Sequence, residues 1–240
     1  MNDAIGVLVD ASAERAITSA FHKFLGHNLH FEHLVYAKKR LVMHLSLAND
    51  ISVLGTMFDR ISERNRWYRD YTLDALTLAV RETIACFPVY RTYLAPGRPV
   101  SGSDRVVIER AVAAAKRRNP ALEESVFDFL RDILLFRFPE NLDDADRAEH
   151  VHFVLKFQQI TGPIMAKGLE DTAFYIYNRL AALNEVGGEP QRFGLAVEGF
   201  HRRNAERKER WPATLLATST HGRISRPRER SPCRELRPFV

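Results

Sequence analysis

Cysteine is nearly absent: Cys86 and Cys233 are the two in 240 residues. Their positions form neither a CxxC pair nor a metal-ligand spacing, which leaves a reduced, cytoplasmic setting as the default. No window reaches about 18 uncharged apolar residues, so no membrane-spanning helix is expected. The opening MNDAIGVLVDAS lacks a cationic segment ahead of a long apolar run, so no signal peptide is expected either. A glycine-rich phosphate loop and a nucleophile elbow are both missing. Among the nine histidines, His30 and His33 are three residues apart, but no acid or cysteine completes a metal site around them, and no metal is expected.

A hydrophobic content of 45% is enough for a buried core and excludes a disordered chain. The net charge of +5 is unevenly placed. Residues 222–240 carry six arginines against two glutamates, a surplus of +4, which leaves +1 for the rest of the chain. A basic surface spread along a fold would suggest nucleic acid. Here the excess sits in one Arg/Pro/Ser-rich tail without apolar periodicity, which is expected to be disordered, and nucleic-acid binding is not expected.

Most of the chain reads as helix. Ser12 can cap a helix to about Leu25, closed by Gly26. Residues 31–66 repeat apolar positions at helical spacing, as one long helix or two with a break near Asn49-Asp50. Thr72 caps a helix from Leu73 to Cys86. Ser103 or Asp104 caps another to Arg118, and Pro120 opens one through Leu135. An acidic start at 142–146 leads a helix to about Ile160, and residues 190–210 form the last. Two stretches read as strands: PVYRTYL at 88–94 and residues 213–218. In the first, Arg91 and Tyr93 share one face. Core packing is the expectation for Tyr93 but not for Arg91, which could line a site.

The stretch FQQITGPIMAKGLEDTAFYIYNRLAALNEVGG, 157–188, has an order of parts that packing alone does not require. Gly162-Pro163 should end the preceding helix, because proline lacks the N–H and constrains its predecessor. Glu170 and Asp171 should open a new helix, where acids suit the positive end of the dipole, and could order Lys167 or Arg179. Lys167 is then left in the turn beside Gly168, a plausible ligand contact. Phe174, Tyr175 and Tyr177 at helical spacing are expected to be core.

GPIMAKGLEDTAFYIYNRL with LNEVGG, ACFPVYRTYL at 85–94 and WPATLLATSTH at 211–221 together resemble the maltooligosyl trehalose synthase family of the alpha-amylase clan, over about residues 29–221. The resemblance implies a (β/α)8 barrel interrupted by a helical insertion. It assigns 1–86 to the insertion, 87–221 to a partial barrel of about two strands and their helices, and 222–240 to an unrelated tail. The expected fold is mainly α with a few strands, since a closed barrel takes about 250 residues and eight strands.

The implied activity converts the reducing-end α-1,4 link of a maltooligosaccharide into an α,α-1,1 link, by a retaining transfer with no cofactor. The resemblance makes Lys167 and His221 sugar contacts, with Arg91, Glu170 and Asp171 as further substrate-binding candidates. It places no catalytic residue here. The family's acid after the STH motif is replaced: the motif runs Ser219-Thr220-His221-Gly222. The change of composition inside that motif is what a shifted reading frame would produce. The chain alone is therefore expected to be inactive. The alternative is a non-enzymatic helical module that binds partners through an apolar face.

Overall fold

The computed structural model describes residues 2–138 and 142–210. In chain order the helices are α1 (Asn2–Val7), a 3-10 turn (Ala11–Ala13), α2 (Glu14–Leu25), α3 (Phe31–Leu45), α4 (Ala48–Glu63), α5 (Leu73–Ala85), α6 (Gly102–Arg118), α7 (Glu124–Leu134) and α8 (Asp144–Met165). A π-helical segment (Ala166–Ala173), the short α9 (Phe174–Ile176), a second 3-10 turn (Ala181–Leu183) and α10 (Val197–Arg210) follow.

Local chemistry explains most of these limits. Thr72 accepts from the Ala75 N–H at 3.2 Å and starts α5, while the Asp143 carboxylate accepts from the Asp146 N–H at 2.7 Å and starts α8. Ser101, not Ser103 or Asp104, caps α6, accepting from the Asp104 N–H at 3.0 Å. Gly26 ends α2 with φ of 75°, a left-handed conformation that glycine adopts without strain. Residues 31–66 are two helices. The break falls at Ser46-Leu47, where both N–H groups turn back to the Val42 carbonyl, and the axes bend by 87°.

Helices α4 to α8 supply one core. At its centre Phe58 is fully buried, with ring centroids 5.2 Å from Phe129 and 5.5 Å from Phe153. This core draws on residues from both sides of residue 86. Helices α4 and α5 approach closely at Gly55, where a Cβ would lie 2.1 Å from Thr77 Oγ1. Gly55→Ala gains helix propensity of about 1 kcal/mol, but the overlap should reverse the sign to a net loss of about 1–3 kcal/mol. Thermal melts check this, and Thr77→Ala in the same chain should recover most of the loss.

Several expectations fail. No strand forms at 88–94, nor elsewhere among the described residues. The segment is extended, and Thr92 and Leu94 are buried while Arg91 and Tyr93 are exposed. The period-two alternation was legible, but a strand also needs a neighbouring backbone, and helices surround this one. The few strands and the barrel portion of the expected fold are thus not shown by the described residues. The strand expected at 213–218 and the tail at 222–240 lie outside the described residues.

Gly162-Pro163 does not end a helix. Pro163 lies within α8, which passes into the π-helical segment. Interior proline costs about 3 kcal/mol. Phe157, Ile160, Ile164 and Met165 are all buried on one stripe running past it, each contributing about 1.5–3 kcal/mol. The stripe outweighs the proline. Gln159, whose carbonyl loses its donor, is on the exposed side, where solvent can satisfy it.

Among the described residues, no single helix is long and apolar enough to cross a membrane.

Candidate functional site

The extended segment 87–95 is held by three side chains from three different elements. Lys39 of α3 donates from Nζ to the Phe87 carbonyl at 2.6 Å. The Tyr90 hydroxyl donates to the Glu170 carboxylate of the π-helical segment. Gln158 of α8 accepts from the Leu94 N–H at 2.7 Å and donates to the Leu94 carbonyl at 3.1 Å. One amide side chain therefore does for Leu94 what a neighbouring strand would have done. This clamp sets the alternation and turns Arg91 and Tyr93 outward. The Arg91 guanidinium lies 5.0 Å from the Tyr93 ring centroid, a cation–π contact. Tyr93 is 76% exposed, so its expected place in the core is wrong.

Glu170 and Asp171 do not start a helix; both lie inside the π-helical segment. Glu170 is half-buried, and besides the Tyr90 hydroxyl it accepts from the Gly187 N–H at 3.1 Å. It joins the extended segment to the Gly187-Gly188 turn. Burial, then the hydrogen bond to Glu170, push the Tyr90 hydroxyl up to about 12. Asp171 and Lys167 are exposed. Lys167 sits in the first turn of the π-helical segment, not in a turn between two helices, and its carbonyl accepts from the Thr172 hydroxyl at 2.7 Å.

Arg179 is not ordered by Glu170 or Asp171. It reaches Glu14 at 3.3 Å and Thr18 at 3.2 Å on α2, and the carbonyls of Pro190 at 2.6 Å and Gln191 at 3.1 Å. It fastens α2 to the loop before α10. Phe174 and Tyr177 are buried against Phe31 as expected of core aromatics, but Tyr175 is 78% exposed. His221 lies outside the described residues. No group of three or more His, Cys, Asp or Glu among the described residues is placed to hold a metal ion.

Three residues of this constellation carried no functional reading from the sequence. Gln158 and Lys39 each interrupt an apolar stripe: Gln158 stands between Phe157 and Ile160, and Lys39 between Val35 and Val42. A polar residue at a buried helical position was the available signal. Asn184 donates to the carbonyls of Phe174 and Tyr177, both at 2.8 Å, and closes the end of α9.

The arrangement presents an outward arginine and tyrosine on a clamped backbone, with an exposed lysine and aspartate on the adjoining helical turn. Such groups donate to and accept from hydroxyls. The one partly buried carboxylate, Glu170, is already committed to Tyr90 and Gly187.

No family model matches the sequence. A stretch of 67 residues is 48% identical to a protein of Mycobacterium tuberculosis (strains CDC 1551 and H37Rv) assigned as a maltooligosyl trehalose synthase, covering 28% of this chain and 9% of that protein. Among solved structures, the maltooligosyltrehalose synthase of Arthrobacter ramosus superposes with a TM-score of 0.68 and 31% identity over 88% of this chain. A hypothetical maltooligosyl trehalose synthase of Sulfolobus tokodaii, 20% identical, shares the fold with a TM-score of 0.57. The chain spans 24% of the length of the Arthrobacter protein. It is, in class, a mainly helical chain that shares its fold with part of a longer synthase. The family is maltooligosyl trehalose synthase, to which the chain belongs as a partial-length relative.

Proposed function

We propose that this chain carries part of the maltooligosaccharide cradle of a maltooligosyl trehalose synthase. The parent reaction is an isomerisation by intramolecular transfer: the reducing-end α-1,4 link becomes α,α-1,1 within the same molecule, in trehalose biosynthesis, with no cofactor. In that parent, residues 1–86 belong to the helical insertion and 87–221 to the barrel, in a cytoplasmic enzyme. Lys167, Arg91, Asp171 and His221 are substrate contacts. Glu170 acts by holding the extended segment.

The observation that carries this reading is the clamped segment 87–95 presenting Arg91 and Tyr93 outward, in a chain whose backbone follows the Arthrobacter synthase over 88% of its length. Retaining transfer needs a carboxylate nucleophile and a second carboxyl as acid and base. We assign neither to this chain, so binding without turnover is its expected behaviour.

Titrating the full chain with maltopentaose should show saturable binding and no loss of reducing ends. Lys167→Ala and Arg91→Ala should each weaken binding by about tenfold, the loss of a hydrogen bond from a charged donor at about 1.5 kcal/mol. Turnover of maltopentaose, or binding indifferent to both substitutions, would sink the reading.

A further inference from the structure

We propose that Lys39 is a positioning residue for the sugar-contacting face, locking the extended segment that carries Arg91 and Tyr93 to the π-helical segment that carries Lys167. The inference rests on the reading of that face as a maltooligosaccharide contact.

The geometry makes Lys39 a single pin through two parts. Its stem lies under the π-helical segment at Gly168. A Cβ on Gly168 would come within 2.8 Å of Lys39 Cγ and 3.0 Å of Lys39 Cα, so the two backbones meet with no room for another side chain. Its head reaches the start of the extended segment, where Nζ donates to the Phe87 carbonyl at 2.6 Å. A shift of α3 at residue 39 would therefore move both segments together. Lys167 adjoins Gly168 in sequence, and Arg91 lies four residues after Phe87.

The energetics argue against a purely stabilising role. Lys39 is 3% exposed, and its ammonium has one hydrogen-bond partner among the described residues, a neutral carbonyl. Among the described residues no carboxylate offsets the desolvation of its charge, so the residue costs stability where an apolar side chain of similar volume would not. A lysine held this way is the kind of group found at functional sites. Burial lowers its pKa to about 8. The π-helical segment meets its stem at Gly168, and the titratable group acting on it is the Cys86 thiol at the end of α5, which burial pushes up to about 11 and keeps neutral.

Below about pH 8 the charged ammonium makes the stronger hydrogen bond to Phe87; above it the neutral amine makes a weaker one. The clamp should loosen across that pH.

The test uses the full chain and its Lys39→Met variant, at pH 7 and 9.5. Three quantities are read: melting temperature, maltopentaose affinity, and amide hydrogen exchange in segments 87–95 and 166–173. The variant should melt no lower at pH 7, yet bind maltopentaose about tenfold more weakly and exchange faster in both segments. The affinity of the unaltered chain should fall toward that of the variant as pH rises through 8, while that of the variant stays flat. Unchanged affinity with unchanged exchange in Lys39→Met overturns the proposal. If the unaltered chain does not bind maltopentaose, the sugar reading fails, and exchange in the two segments still decides the role of Lys39. If the variant does not fold, the pH profile of the unaltered chain decides: exchange in 87–95 that stays flat across pH 8, after correction for intrinsic rates, overturns it.

Discussion

Phe58→Ala should lower the free energy of unfolding by about 4 kcal/mol, within the range measured for burying and then deleting an aromatic ring. Phe58 is fully buried, and its ring meets Phe129 of α7 and Phe153 of α8 in stacked contacts. Three helices that are distant in sequence converge on that one side chain. Deleting it removes the transfer free energy of the ring and leaves a cavity that helices pinned elsewhere cannot collapse into. The neighbouring rings also lose aromatic contacts of about 0.5–1.5 kcal/mol each. Chemical denaturation followed by circular dichroism measures the change. Trp67→Ala is the control: Trp67 is 73% exposed, and removing it should change stability by no more than about 0.5 kcal/mol. A Phe58→Ala loss no larger than the control would mean that these helices do not share one core.

The second large effect is a rise of stability with pH that depends on Lys39. Burial holds its pKa near 8 in the folded chain against an ordinary 10.5. Between those two values the unfolded chain binds the proton and the folded chain does not, so stability rises with pH in that window. Below about pH 8 both states are protonated, and the folded state bears the full cost of a buried charge. The cost is about 3 kcal/mol for a shift of this size, relieved as pH climbs toward 10.5. Lys39→Met should lack this rise. It should also equal or exceed the unaltered chain in stability at pH 7, with part of the gain offset by the unpartnered Phe87 carbonyl. Denaturant midpoints of both chains at half-unit steps from pH 7 to 10 give the difference curve. Tyr36 and Tyr90, both pushed up to about 12, act in the opposite sense once unfolded tyrosines ionise near pH 10, and they cancel in that difference. Parallel curves for the two chains would show that the ammonium is not buried as described.

Much of the helical body was legible because its determinants are local. The Thr72 cap, the Gly26 stop and the acidic start of α8 act within one turn of the residues that announce them. The family was legible for a different reason: three motifs stand in one order, and matching all three by accident is far rarer than matching one. The errors have a common cause as well. The strand reading of 88–94 had the right alternation and the right composition, but the hydrogen bonds of a strand come from elsewhere in the chain. The helix stop at Pro163 was a sound local rule overruled by a buried stripe whose partners are distant. Glu170 looked like a helix-start acid because the sequence did not disclose Tyr90 as its donor.

What the sequence by itself determined, then, is where most helices lie, with the Thr72 cap and the Gly26 stop, and which family the chain comes from. A helix bonds each residue to one four positions away, so its record is written in adjacent residues. What only the tertiary structure decided is the construction of the site. Its three clamps join Lys39 to Phe87, Gln158 to Leu94 and Glu170 to Tyr90, across 48, 64 and 80 residues. Contacts over such separations depend on how helices pack, and no local pattern records them.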